Sequence, residues 1–580
     1  MFHIRLFRAI SFLFVVTMIF STGAAAQSPV DPGQLPGRTI LYLVWHGSPT
    51  GEIRKNNSLY ALWDDPQFAA ARAAFLESFL NDAQNLKNKP AVSREELAQY
   101  VTLLDNPFLI GYLRRPQAHA AAKTPAAKTP EPTWNGMFFI YDRSGKEELL
   151  SKAVVQMRGT ENDIPKLTPL TLAGVPALKV ERKSGITYWA EFGKYAVSAN
   201  EQSVFEEVVA VVNGKPGSSM LSQSAAFQEA KPILSGGVVE FFLRVPSTQE
   251  LGLDSLSASS APLKPLVMAL KLDSLHSVAG HISLEGAKTH FTGTILGDTA
   301  AGSLFDIWAE GQANPVSLGY LSPDTIYYSE SQFNLLGIYN TLKRALTQAD
   351  ASSAQTATLL EGLAQTRLGM PLPDALGLTT GEIASLQTSP TMDDGQKVYL
   401  LGISNKPDAL KLARTLMGDR ISSERSEGDT TFLKVSLQGG QSSAGVAQWN
   451  FYYLAMTPSL LFGSSKSETL HRYVGQAPTS PDAAVPKNIL AARGQFPEKL
   501  NGFSFFDFQK VDWAGLKEKW VAEANKSAQS AKTTDAANNN KKLSDWLSQV
   551  NPEVFPRHLH TMTGASWKDA KGVHFDEWLD

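Results

Sequence analysis

The stretch LHSVAGHISLEGAKTHF at residues 275–291 is written again, in altered letters, as LHTMTGASWKDAKGVHF at 559–575. Both open on Leu-His, place a Gly four residues after that His, turn at Ala-Lys and close on His-Phe. A repeat constrains a fold more than local propensity does, because two copies of one pattern must bury the same faces. LPGRTILYL at 35–43 likewise returns as LSPDTIYYS at 321–329, an offset of 286. FFIYDRSGKEELLSKAV at 138–154 follows the pattern of VYLLGISNKPDALKLAR at 398–414, an offset of 260, and Trp189 falls on Trp449 at the same offset. GGVVEFF at 236–242 resembles NGFSFFDF at 501–508, offset by 265, and the opening pair returns to 284.

The drifting offset calls for extra residues in one copy and then in the other. AHAAAKTPAAKTPEPT at 118–133 and ANKSAQSAKTTDAANNNKK at 524–542 lie where the arithmetic needs them. Both lack large apolar groups, so both are expected to be solvated inserts without structure. The expected layout is a signal peptide at 1–26, a first repeat at 35–310 and a second at 317–580.

Within each copy a short β-branched and aromatic strand (39–43; 325–329) leads into helical segments. Phe68, Ala71, Phe75 and Phe79 have helical spacing, and Ser93 with Glu96 has capping-box spacing. The pattern then predicts strand 137–142, helix 145–157, strands near 177–182 and 187–198, helix 201–213, strand 238–245 and a hairpin over 275–297. Hairpins outnumber βαβ steps. The fold class expected is therefore α+β, as two homologous tandem units, each a largely antiparallel sheet with helices packed on one face.

The N-terminus carries Arg5 and Arg8, then a mostly apolar run of 13 residues at 9–21, then Ala24-Ala25-Ala26. That run is short of the ~20 residues a membrane span needs and fits a secretory signal cut after Ala26. Of 580 residues, removal of 26 leaves 554; losing two arginines takes the formal charge from −3 to −5. No electrostatic case for nucleic acid remains, and no later run has membrane length. The chain has no cysteine, which excludes disulfides, a lipid-bearing N-terminal cysteine and thiol chemistry.

Paired histidines raise the question of metal. With the first turn centred on Glu285-Gly286-Ala287, His276 and His290 lie about 6 residues apart along the ladder, roughly 20 Å, far beyond the ~2 Å reach of a zinc ligand. His281 is nearer to His290, yet this turn puts the two on opposite faces, and a shift of one residue would bring them together. The second copy has Ala565 in place of His281, and its His560 and His574 fall at opposite ends if the turn is near Asp569-Ala570. The histidines read as strand-edge residues, and no metal ligand is assigned.

No HExxH and no G-x-S-x-G occurs, and NGKPG at 213–217 has Pro216 where a phosphate loop needs Ser or Thr. Asp64 and Asp65 precede Pro66 and suit a helix N-terminus; Asp393-Asp394-Gly395 suits a turn. No catalytic or cofactor-binding residue is assigned. Trp189 and Trp449 are expected in the core, whereas Trp134, Trp308, Trp513, Trp546, Trp567 and Trp578, unmatched between copies, are the better candidates for surface contacts.

LSPDTIYYS, the helical stretch after it and GLTTGEIASLQ at 377–387 resemble bacterial exported proteins of the family known as domain of unknown function 3352. The resemblance covers much of 317–510 and, more faintly, the first copy, where LIGYLRR at 109–115 departs from it. That family implies no catalytic residue. The expected function is an exported, periplasmic or extracellular, non-enzymatic protein that binds a protein partner or polymer. The alternatives are an envelope hydrolase whose acids converge from distant segments and a chaperone-like factor with an apolar groove.

Overall fold

The computed structural model describes residues 28–74, 96, 99–100, 102–114, 136–157, 166–182, 185–217, 219–247, 271–300, 303–349, 351–393, 396–437, 450–475, 485–531 and 533–580. The signal segment, the insert at 118–133, Phe75, Phe79, Ser93, Trp134, Asp394 and Trp449 lie outside these. The fold is mixed α+β with antiparallel strand pairing. The chain forms two compact units: one of the residues up to Val245 with Ser277–Thr294 and Trp520–Val554, the other of Pro246–His276, Ile295–Lys519 and Phe555–Asp580.

The first ten strands are β1 (Thr39–Trp45), β2 (Phe108–Leu113), β3 (Gly136–Asp142), β4 (Lys166–Leu172), β5 (Val175–Arg182), β6 (Gly185–Phe192), β7 (Tyr195–Ala199), β8 (Val239–Arg244), β9 (Leu275–Glu285) and β10 (Lys288–Gly297). They lie in the order β4-β5-β6-β7-β3-β2-β1-β8-β9-β10. Two short helices, Gly51–Asn56 and Ser58–Asp64, follow β1, and three longer ones accompany the strands: α1 (Glu147–Met157), α2 (Gln202–Val212) and α3 (Ala225–Leu234). Alternation explains β1, whose Ile40, Tyr42 and Val44 are buried on one face. Val204, Phe205, Val208 and Val209 of α2 and Phe227, Ala230 and Leu234 of α3 are buried with them. Gly111 on β2 leaves room for the Phe138 ring, which occupies the place of its missing Cβ.

The next ten strands are β11 (Tyr327–Gln332), β12 (Thr379–Gln387), β13 (Lys397–Ile403), β14 (Ile421–Glu427), β15 (Thr430–Leu437), β16 (Asn450–Met456), β17 (Leu460–Ser464), β18 (Gly502–Asp507), β19 (Thr561–Lys568) and β20 (Gly572–Leu579). Their order is β14-β15-β16-β17-β13-β12-β11-β18-β19-β20, the first order with ten added to each number. The longer helices later in the chain are α4 (Leu335–Ala349), α5 (Ala351–Leu368), α6 (Lys406–Met417), α7 (Ser467–Gly475), α8 (Lys487–Arg493), α9 (Trp513–Gln529) and α10 (Thr534–Gln549). Leu470 and Tyr473 of α7 and Ile489 and Ala492 of α8 pack on Tyr328, Leu386, Leu400 and Phe462. On the opposite sheet face α6 covers the β13–β16 end, where Ala409 and Ala413 meet Ile403, Leu454 and Met456.

Four sequence expectations change. Residues 524–542 are helical over most of their length, in α9 and α10, rather than an unstructured insert. Alanine, lysine and glutamine are good helix formers, and Ala524 and Leu547 anchor these helices as buried residues. Residues 520–554 moreover belong to the first unit: Trp546 Nε1 donates to the Ala71 carbonyl at 2.9 Å and Asn551 Nδ2 to Gln67 Oε1 at 3.0 Å. The segment 187–198 is two strands, β6 and β7, because Gly193 at φ 54° turns the chain between them. The first hairpin turns on two residues, Gly286 and Ala287, not three. Finally, Val44 pairs with Glu240 and Glu330 with Phe503, so matching β1 to β11 at 286 relates β8 to β18 by 263 rather than 265.

Candidate functional site

Among the buried carboxylates of the second unit are Glu330 on β11 and Glu382 on β12. A buried carboxylate is tolerated when protein donors replace water. Arg493 of α8 ion-pairs with Glu330 Oε1 and also donates to the carbonyls of Gln312 and Ala313 at 3.0 and 3.2 Å. Tyr328 Oη donates to Glu330 Oε2 at 2.5 Å and meets Ser317 Oγ at 2.7 Å. Glu382 accepts the backbone N–H groups of Ser317 and Val316 at 2.7 and 3.1 Å. Burial raises the Glu330 carboxyl above its ordinary range, with Arg493 opposing it, and burial raises the Tyr328 phenol too. Every oxygen of both carboxylates is engaged, and the network ties the 312–317 segment and α8 to the sheet. It is suited to holding the fold.

The altered turn brings His281 and His290 to one face, with ring centroids 6.3 Å apart, which corrects the opposite-face expectation. Each is taken up locally. His281 Nδ1 donates to the Ile233 carbonyl at 2.5 Å, and His290 contacts Glu285 Oε1 at 3.2 Å and Thr292 Oγ1 at 3.1 Å. In the second hairpin His574 faces Trp567 in register and reaches Asp569 Oδ1 at 3.0 Å; His560 precedes β19. Among the described residues no three His, Asp or Glu side chains form a group that could hold a metal ion. Asp65 accepts from Gln67 N at 2.7 Å and caps a 3-10 turn, while Asp64 is held by Arg54 at 2.8 Å through both carboxylate oxygens.

The tryptophans depart from expectation. Trp189 is half-buried and packs against the core at Tyr141, Leu150 and Ala196, its indole N–H on Glu191 at 3.1 Å. Trp308, Trp513, Trp546, Trp567 and Trp578 are half-buried as well; Trp567 and Trp578 pack on the core, and Trp513 stacks on Phe555 at 4.5 Å. Trp520, which the copy comparison passes over, is the exposed one among the described tryptophans. Its signal was its place on an otherwise polar helical stretch.

The feature that sets the first unit apart is the sheet face away from α2 and α3. Cross-strand register places Phe139, Ile110, Leu43 and Phe241 directly side by side across β3, β2, β1 and β8. Met137, Tyr112, Leu41 and Leu243 form a second row beside them. None of the eight is buried, and Met137 is 39% exposed. Phe241 stacks on Phe291 at 6.3 Å. Seven of the eight are half-buried, Leu43 packing against Trp45, Val239 and Ile282 and Phe139 against Tyr141 and Leu150, and only Met137 among them is exposed. Even so, eight adjoining apolar side chains form a larger partly open array than the scattered apolar residues of ordinary surfaces. The residue pattern hid it because inner and outer positions of β1, β2 and β8 are equally apolar.

No family model matches this chain, and no curated protein matches it. Among solved structures, crystal form I of TP0453 is similar over 47% of this chain and 80% of that one, at 9% identity and a TM-score of 0.21. At that score the likeness carries no argument. Among the described residues no helix is long and apolar enough to cross a membrane.

Proposed function

We propose that this chain is an exported, non-enzymatic binding protein of the cell envelope, built from a duplicated α+β unit, whose first-unit sheet face receives an apolar surface of a protein partner. The observation that carries this reading is the double row Phe139–Ile110–Leu43–Phe241 and Met137–Tyr112–Leu41–Leu243. Aromatic and methionine side chains on a flat patch are the composition of interface cores. Against the hydrolase alternative stand Glu330 and Glu382, whose oxygens are engaged by the chain's own donors. The chaperone-like alternative has one observation in its favour, Leu359, Leu360 and Leu363 standing exposed on α5. Duplication is supported by the common strand order, and export by the charged start, apolar run and small residues before Gln27.

A photo-crosslinking residue at Met137, in the protein expressed with its own N-terminus, tests the reading. The expected result is a discrete heterologous adduct on a mature chain beginning at Gln27. Adducts no different from those at exposed Ile186 on β6 would refute the face, a ladder of many adducts would favour the chaperone reading, and an intact Met1 would refute processing.

A further inference from the structure

At one end of the second unit's sheet the packed face turns polar. Alternation carries Tyr328, Glu330 and Gln332 of β11 to that face, and all three are buried. Register sets Glu382 of β12 beside Gln332 on one side. On the other, Ser331 pairs with Gly502 and Gln332 N donates to the Asn501 carbonyl at 2.6 Å, so Asn501 stands opposite Gln332 just ahead of β18. Glu382, Gln332 and Asn501 thus form a row exposed by only 1%, 3% and 3%, one step along the strands from Glu330.

Segment 309–317 is strapped onto this row by polar clasps. Asn501 Nδ2 donates to the Ala309 carbonyl. Gln312 and Leu500 exchange backbone hydrogen bonds at 3.0 and 3.2 Å. Arg493 donates to the carbonyls of Gln312 and Ala313, and Glu382 accepts from Val316 N and Ser317 N. Gly311 permits the close approach, since a Cβ there would stand 2.9–3.0 Å from the Lys499 and Leu500 backbone.

Three atoms of the row are left over. Gln332 Nε2, Gln332 Oε1 and Asn501 Oδ1 find no hydrogen-bond partner among the described residues. Native interiors rarely keep such a group unpaired, and three on two adjoining side chains call for a common partner. That partner must accept from Nε2 and donate to the amide oxygens. A metal cation accepts nothing, a halide donates nothing, and the backbone contact at Gly311 seats the strap too close for a bulky ligand. Water does both and is small enough. The first unit meets the same position with other residues. There His46 N donates to the Val238 carbonyl at 2.9 Å, as Gln332 N does to Asn501, but the His46 ring reaches Glu240 at 3.2 Å and Val238 carries no amide.

We infer that Gln332 and Asn501 form a buried water-binding site beneath the 309–317 strap. Gln332 Nε2 donates to a water oxygen, Gln332 Oε1 and Asn501 Oδ1 accept from water, and the bound water helps to seat the strap on the sheet. The inference is independent of the first-unit face, and its failure leaves that reading untouched.

The test is a crystal structure of the full-length chain at a resolution that shows ordered solvent, joined to hydrogen exchange in solution. Ordered water is expected within ~2.7–3.2 Å of Gln332 Nε2 and of at least one of the two amide oxygens. Gln332→Met keeps the length of the side chain and removes the amide. It should lower the urea midpoint and speed amide exchange in 309–317 five-fold or more, with exchange in β14 and β15 unchanged. A dry, unpaired amide predicts the opposite sign, because removing it would raise the midpoint. A metal ion or a protein group on the Gln332 amide, no ordered water there, an unchanged or raised midpoint, or exchange in 309–317 that ignores the substitution would each overturn the proposal. The wild-type crystal structure decides the site even if Gln332→Met fails to fold.

Discussion

Glu577 lies on β20, and Glu577→Gln is a stability experiment whose magnitude follows from the fold. Burial pushes the Glu577 carboxyl from its ordinary 4.5 up to about 7. With the folded value above the unfolded one, the native chain binds the proton more tightly than the unfolded chain does between those two pH values. Stability therefore falls as pH rises through that window: the contribution is intact below about 4.5 and lost as pH passes about 7. At ~1.4 kcal/mol per unit of pKa, the loss amounts to roughly 3 kcal/mol. Glutamine keeps the shape and removes the titration. The variant should therefore gain stability relative to wild type between pH 5 and pH 8, by up to about 3 kcal/mol in urea unfolding. A constant difference between the two proteins across that range would refute the claim that burial displaces the Glu577 titration.

Two further outcomes are expected. Arg493→Met strands Glu330 as a buried charge and should cost about 3–5 kcal/mol in urea unfolding, whereas Glu330→Met with Arg493→Met together should cost clearly less; equal losses would show that the pair is not coupled. Trp546→Phe, which deletes the indole donor to Ala71 but keeps the ring, should cost about 1 kcal/mol and expose Gln67 and Ala71 to faster hydrogen exchange. Unchanged exchange there would place α10 outside the first unit.

Elements with clear alternation and well-marked turns were legible in the residues. β9 and β10 announce themselves by their pairing of apolar steps around Glu285-Gly286-Ala287, and β3, α2 and β8 lie within two residues of expectation. β4 was not legible, because Pro169 interrupts KLTPLTL and a proline demotes a strand reading. α10 was missed because AANNNKK looks like low complexity, while its one large anchor, Trp546, finds its partner 475 residues away. The cross-strand row on the second sheet is illegible for a different reason. Ser329, Ser385, Ser504 and Glu577 are ordinary surface letters until strand register puts them in one row, and register is a property of pairing, not of any segment alone.

The loan of α10 to the first unit has a consequence for biosynthesis. Domains made early in a chain usually fold as they emerge, at ~5–20 residues per second. Here the carbonyl of Ala71 waits for an indole 475 residues downstream. At that pace the gap is roughly half a minute to a minute and a half. Through that interval the first unit exists as an unfinished sheet with an apolar face, and the last tenth of the chain completes a body begun by the first. Order of synthesis and order of completion are thus decoupled, and a chain truncated ahead of Trp546 would leave both units short of parts rather than one intact and one missing.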